Sequence, residues 1–268
     1  MTVKKHTSLM DKIMFAGADV LKGINFVGFT VVLLFKSFYY FKNIWNKRHE
    51  IMIQMYNAGV KTFPVVSIVA LFTGMILSLQ LGVEMSVFQQ ESLVGHTIMA
   101  ILTREMGPFM AGIILIASMG AAMAAEIGTM KVSEEIDALE IMSISPVRFL
   151  VMPRVAAMAI MTPVTTIYII LMGAMGGGIV ASAQLNVTFD VYYYHAMQGL
   201  HLKAMYVGLL KALVFGFAIS SVSCAYGLKA TNGALGVGKG TRDSVVASFI
   251  LVLILGYVIT SIFYGSPK

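Results

Sequence analysis

Charge is what this sequence has least of. Only 12% of its 268 residues are Asp, Glu, Lys or Arg, about half the ~25% of a soluble domain. With 58% hydrophobic residues and a mean hydropathy of +0.83, too little polar surface remains to wet the outside of a globule. A soluble enzyme and a disordered chain are excluded. Cysteine is almost missing: the one thiol, Cys224, lies inside an apolar run, which excludes a disulfide scaffold. The five histidines (His6, His49, His96, His195, His201) show no i, i+4 pairing and no carboxylate at ligand spacing, so no metal site is expected. Neither Gly-x-Ser-x-Gly nor a Ser/His/Asp arrangement occurs. The composition describes a polytopic membrane protein in one compact domain, without a catalytic centre.

The few charges mark the span edges. Between Lys61 and Glu84 lie 22 uncharged residues, enough at ~1.5 Å per residue to cross ~30 Å of hydrocarbon. The same reasoning gives spans at about 62–83, 104–126, 155–182, 204–228 and 244–264, the fourth interrupted by Lys211. With the N-terminus cytoplasmic, fifteen of the nineteen Lys and Arg fall on the cytoplasmic side, the orientation that the positive-inside rule favours. Five spans then place the C-terminus on the opposite side. The stretch 8–45 is read as an amphipathic helix in the inner-leaflet surface rather than a sixth span. Its apolar core, Ile24 to Phe35, has only 12 residues, bracketed by Lys22 and Lys36 and followed by Tyr39, Tyr40 and Trp45. Nine Lys and Arg in residues 1–61 are interleaved with Phe, Leu, Val and Tyr, the pattern of anionic-lipid contact rather than of a nucleic-acid arm.

Several motifs compete for attention. Gly233–Thr241 nearly matches a phosphate-binding loop, but Gly240 stands at the hydroxyl position and a membrane helix precedes it where a strand is needed. It is expected to be a flexible turn with helix-capping glycines. Gly173 and Gly177 form a GxxxG pair, suited to close packing inside the chain more than to a dimer seam. The 21 methionines can line an adaptable cavity or simply fill the membrane interior. Arg104-Glu105 sits between two apolar runs, with Pro108 three residues on. Two readings stay open: a polar rim on a cavity, or an interface-level ion pair marking the end of a span. Lys211 is either a cavity-facing cation or, slightly favoured, a lysine snorkelling to the outer surface. In the loop 126–154, Ser133 can N-cap a short helix with Glu134, Glu135 and Asp137 in its first turn, stopped by Pro146. Such a helix is too short to stand alone in water, so it docks either on a soluble partner or on its own membrane domain.

Thr103-Arg-Glu-Met-Gly-Pro108, Ala124 through Leu139, Ser145-Pro146, Pro153-Arg154 and Lys211-Ala-Leu-Val-Phe-Gly216 together resemble the MlaE (YrbE) family, the permease subunits of MCE-type lipid ABC transporters. The resemblance runs from about residue 50 to 264. It implies an all-α membrane protein: an interfacial N-terminal segment (1–50) and a permease domain (51–268). The domain has five transmembrane helices and a cytoplasmic coupling helix at about 133–143, between the second and third. It further implies a homodimer enclosing a phospholipid cavity in the bacterial inner membrane. An ABC ATPase that binds ATP and Mg docks below; above sits a periplasmic ring of MCE-domain proteins, hexameric in the family. A small STAS-domain protein belongs to some of these systems. No cofactor is implied for this chain. By that resemblance Glu126, Ser133, Glu134, Glu135, Asp137, Leu139 and Met142 form the ATPase-coupling face, and Arg104 and Glu105 fall at polar cavity positions. Met75, Leu79, Leu81 and Met110 are expected lipid-cavity walls on position alone.

Three departures from the family pattern stand out: Met119 where Arg is common, Gly256 where Asp is common, and Glu135 in place of Gln. If that Asp normally meets the cation at Lys211, the pair is missing here. Two other function classes fit these residues less well. An ion-coupled secondary transporter or channel needs more ionisable groups in its spans than Arg104, Glu105 and Lys211. A membrane-embedded lipid-modifying enzyme needs a nucleophile or a metal site, and the chain presents neither.

Overall fold

The computed structural model describes residues 9–265. Residues 1–8 of the expected interfacial segment and the C-terminal residues 266–268 lie outside the described residues. Every regular element among the described residues is helical: α1 (Leu9–Tyr40), α2 (Arg48–Ala58), α3 (Phe63–Ser86), α4 (Val94–Ile101), α5 (Gly107–Leu115), α6 (Ala121–Val132), α7 (Glu135–Ile141), α8 (Met152–Gln184), α9 (Phe189–Gly199), α10 (Leu202–Leu228) and α11 (Gly233–Tyr264). α4, α5 and α6 run together as one apolar rod, Glu91–Val132, and α8 begins within a second, Val147–Gln184. The chain is an all-α membrane protein.

Among the described residues, six helices are long and apolar enough to cross a membrane, one more than the five uncharged runs. The additional one is Gly23–Tyr40 in α1. Its uncharged core is confined to Ile24–Phe35, but the helix continues past Lys36 through Ser37, Phe38, Tyr39 and Tyr40. Ile24, Val27, Val31 and Phe35 line its exposed face at the three-to-four-residue spacing of one helical stripe. On the other face Leu33 and Ser37 are buried. Phe26 meets Tyr226 and Phe38 meets Phe217, with ring centroids 4.3 and 4.9 Å apart, which docks α1 on α10.

Helix packing without water has little hydrophobic drive between apolar faces and depends on close backbone approach. The α3–α8 seam shows this. α3 buries Val66, Ala70, Gly74, Ser78 and Gly82, one every four residues and mostly small. A Cβ at Gly74 would collide with the Gly173 carbonyl, and one at Gly176 with the Leu71 carbonyl. Gly173 and Gly177 therefore serve contacts inside the chain, against α3 and α4. Buried Thr162 and Thr166 return their hydroxyls to the Met158 and Thr162 carbonyls at 2.8 and 2.9 Å, as a polar side chain in hydrocarbon must. α10 is the most enclosed of the six long apolar helices, with 67% of its apolar window buried against 17% for α11.

Residues 233–240 differ from the expected turn. They form the first two turns of α11, entered through Asn232 and Gly233 with φ of +63° and +65°. The reason is local packing: Val237 lies against Gly128 of α6, where a Cβ would meet its methyls at 3.3 Å. Two substitutions test the fold. Gly74→Leu forces α3 off α8 and is expected to abolish the detergent-stable fold. Gly238→Ala, with open space at its Cβ, should leave the melting temperature unchanged or raise it by the equivalent of ~0.5–1 kcal/mol.

Candidate functional site

The site is built on a defect in the rod Glu91–Val132. Between α4 and α5, residues Leu102–Met106 form a wide turn whose hydrogen bonds reach one residue further than in an α-helix, a feature frequent at functional positions. Pro108, in the first turn of α5, has no N–H to give the Arg104 carbonyl. Lys211, from α10, takes that place. Its ammonium donates to Arg104 O at 3.0 Å, Glu105 Oε1 at 2.6 Å and Thr260 Oγ1 of α11 at 2.7 Å. Three acceptors saturate its three N–H groups. The Thr260 hydroxyl also lies 2.9 Å from Glu105 Oε1 and 2.8 Å from Gly256 O.

Two expectations are corrected here. Lys211 does not snorkel: its side chain is 1% exposed. It sits nine residues below the start of α10, about 13 Å down the axis, with a complete set of acceptors at hand. Nor is its partner lost with Gly256. The carboxylate comes from Glu105 instead, and Thr260, one turn beyond Gly256, supplies the α11 contact. Glu105 is half exposed and opens onto a cavity of about 220 Å³ walled by Met106, Phe109, Phe215, Val252, Leu253, Gly256 and Tyr257. One end is an ion pair and the remainder is apolar, which suits an amphiphile.

Arg104 points elsewhere. Its guanidinium carbon lies 5.4 Å from the Tyr264 ring centre, and the Lys203 ammonium lies 5.3 Å from the same ring centre, so two cations meet one aromatic ring. The four apolar candidates are not brought to the Glu105 cavity. Leu81 packs with Val94, Ile98 and Leu102, and Met110 with Val66, Ala70 and Ile169. Met75 is partly buried on α3, and Leu79 is exposed there. The walls that do line it (Phe109, Phe215, Tyr257) and the Thr260 ligand come from three distant stretches, and no periodicity links them. Thr260 alone carried a local signal, four residues after the Gly256 departure. His96 and His201, far apart in sequence, meet edge to face with ring centres 5.8 Å apart. No group of three or more His, Cys, Asp and Glu suited to a metal occurs among the described residues.

At the opposite end of the rod, Glu126 accepts from Arg154 Nη2 at 2.9 Å, and Arg154 Nη1 donates to Leu150 O at 2.9 Å. The short acidic helix follows, but it starts later than expected. Ser133 does not N-cap it. Its backbone N–H closes α6 on Thr129 O at 2.9 Å, and Glu134, with φ of +61°, makes the reversal into α7. The α7 faces differ. Ile136 is buried, Leu139 packs beside Ile127 and Leu150, and Asp137 pairs with Lys131 of α6. Glu134, Glu135 and Met142 face outward with Ile141, which is 85% exposed.

Residues 51–262 match the family described as Permease MlaE. The chain belongs to the MlaE permease family. It is 41% identical over 214 residues to a probable ABC transporter permease protein of Rickettsia typhi, covering 80% of this chain and 83% of that protein. A probable ABC transporter permease protein of Synechocystis is 33% identical over 214 residues, 80% of this chain and 81% of its own. The chloroplast protein Trigalactosyldiacylglycerol 1 of Arabidopsis thaliana is 30% identical over 211 residues, 79% of this chain and 60% of the plant protein. This MlaE-family permease is thus a multi-pass transporter subunit. Glu105, Lys211, Thr260 and all of α7 lie within the matched region, whereas α1 precedes it.

The ion pair makes a quantitative prediction. Removing one partner of a buried pair costs about 3–5 kcal/mol, whereas replacing both by apolar or neutral groups is close to neutral. Glu105→Ala should therefore lower the melting temperature in detergent. Lys211→Met combined with Glu105→Gln should recover most of the loss. Additive losses in the double variant would mean that the two side chains are not coupled.

Proposed function

We propose that this permease is the membrane subunit of an ATP-driven transporter moving phospholipid between the inner and outer membranes of a bacterium. The observation that carries the reading is the Glu105–Lys211 cavity, polar at one end and apolar elsewhere, inside a bundle with almost no other buried charge. Each methylene drawn from a bilayer costs ~0.8 kcal/mol unless an apolar surface receives it, so a two-chain lipid needs such walls. The name of the Arabidopsis relative, a galactolipid, is consistent with a lipid cargo.

One protomer is not enough. Its 220 Å³ falls below the ~300–1,000 Å³ of ordinary small-molecule sites, and a phospholipid is larger than most drugs. α11, which provides Val252, Leu253, Gly256 and Tyr257, leaves most of its apolar window unburied. A second copy placed against α11 doubles the cavity and covers that face, giving a homodimer around the lipid.

The motor is a separate ABC ATPase, which supplies the sites for ATP and Mg. The bacterial relatives, described as probable ABC transporter permease proteins, support that partner. α7 is its docking element through the outward residues Glu134, Glu135, Ile141 and Met142, while Ile136, Asp137 and Leu139 fasten the helix to the permease. Glu126 and Ser133 serve this attachment from the α6 side. Closure of the ATPase then moves α7 and α6 as a rigid unit. The N-terminus is cytoplasmic, by the distribution of Lys and Arg, and α1 lies along the inner-leaflet surface with its Ile24–Phe35 stripe in the lipid. The opposite, periplasmic face receives a ring of MCE-domain proteins, and a small STAS-domain protein accompanies the ATPase.

Two experiments test the reading. Glu134→Lys with Ile141→Asp should release the ATPase during copurification, whereas Asp137→Asn should retain it; equal retention by both would remove α7 from the interface. In proteoliposomes containing the whole complex, labelled phospholipid transfer should require ATP hydrolysis. Transfer driven by an ion gradient without the ATPase would instead identify a secondary transporter.

A further inference from the structure

The rod Glu91–Val132 has a second wide turn, Ile116–Gly120, and a second cavity lies beside it. This one measures about 280 Å³ and is shared between the chain leading into α3 and the last turns of the rod. Its floor is apolar: Met119 is 6% exposed and Met123 fully buried. Its mouth is polar and carries both signs of charge, with Asn57 and Lys61 on one side and Glu126 on the other.

The partners of these groups are informative. Asn57, half-buried, and Lys61, exposed, line this mouth, and among the described residues neither side chain forms a hydrogen bond or ion pair. Glu126 has committed only Oε2, to Arg154, and its side chain is half exposed. Arg154, held by Leu150 O, fixes that carboxylate in place, leaving Oε1 free. Two donors and one acceptor thus surround an apolar pit without satisfying one another.

Position completes the case. Glu105 and Glu126 are 21 residues apart on one rod, about 30 Å along its axis, the thickness of the hydrocarbon layer. The charged mouths of the two cavities therefore lie about a hydrocarbon thickness apart along the rod, with the first at the depth of Lys211. Lys61 precedes α3, and Glu126 lies in α6, which leads into α7, so the second cavity opens on the α7 side.

We propose that this second cavity is a binding site for the headgroup of a phospholipid in the leaflet on the α7 side, with phosphate on Lys61 and Asn57 and a headgroup ammonium on Glu126 Oε1. The glycerol and first methylenes rest on Met119 and Met123. The apolar floor favours a lipid over free phosphate, and the opposed charges favour a zwitterionic headgroup. The inference rests on the lipid-transport reading and adds to it a loading or release point distinct from the Glu105 cavity.

The test uses the full-length permease in phosphatidylcholine nanodiscs, doped with phosphatidylethanolamine carrying a diazirine next to its glycerol, followed by irradiation and peptide mapping. Labelling is expected on residues 57–62 and 118–126 as well as 105–109 and 252–257. Lys61→Gln should cut the first set about tenfold, as expected for one lost hydrogen bond between charged groups, and leave the second unchanged. Lys61→Arg should restore it, and retained labelling at 252–257 reports an intact fold. Absence of label at 57–62 and 118–126 with label kept at 252–257, as when a second copy seals the mouth, overturns this inference alone. Label unaltered by Lys61→Gln, or abolished by excess inorganic phosphate, also overturns it. Loss of label at both cavities overturns the lipid reading itself.

Discussion

A lysine ammonium in the middle of an apolar bundle must have its three protons received. At Lys211 this requirement ties together three helices that share little sequence logic. The Arg104 carbonyl is available because Pro108 cannot donate to it. The Glu105 carboxylate arrives because the wide turn rotates it towards α10, and Thr260 reaches in from α11. Each acceptor comes from a different structural cause, and these elements converge on one cation at the end of a cavity that Phe109, Phe215 and Tyr257 line.

The remainder of the bundle is arranged so that this convergence is rigid. Small residues bring α3 and α8 into backbone contact, and buried threonines answer their own helix carbonyls. The central α10 carries both Lys211 and the surface on which α1 docks. At the far end, the Glu126–Arg154 pair and the Lys131–Asp137 pair fasten α6, α8 and α7 together. A movement imposed on the outward face of α7 therefore passes into the same rod that bears Glu105. The rod has two wide turns, and a cavity lies at each. These are the places where a helix can change register without breaking.

Much of this was legible in the residues. Lys61 and Glu84 stand within two residues of the ends of α3, whereas the rod Glu91–Val132 runs through Glu105 and Glu126; the scarcity of charge fixed the class. The run from Thr103 to Pro108 marked the polar site, and the acidic segment after Ser133 marked a protruding helix. What was not legible depended on distance in sequence. Lys211 reads as a snorkelling residue when only its own helix is considered, since nothing local shows a carboxylate 106 positions earlier. Gly256 reads as a lost partner until Thr260 is placed beside Glu105. Ser133 is a good N-cap by residue type, yet α6 claims it, because Glu134 takes the left-handed conformation that reverses the chain. The glycine-rich start of α11 has the composition of a turn, and packing of Val237 on Gly128 makes it helical. Met75, Leu79, Leu81 and Met110, expected as walls on position alone, do not line the Glu105 cavity of the single chain.

The central claim is that the Glu105–Lys211 chamber holds lipid where two copies meet. Native mass spectrometry of the purified permease, released gently from detergent, measures both quantities in one spectrum. The account predicts a dimer retaining phospholipid, with the retained fraction falling sharply when Gly256→Trp fills the chamber. A monomer, or a dimer whose lipid content is the same with the chamber filled, would contradict it.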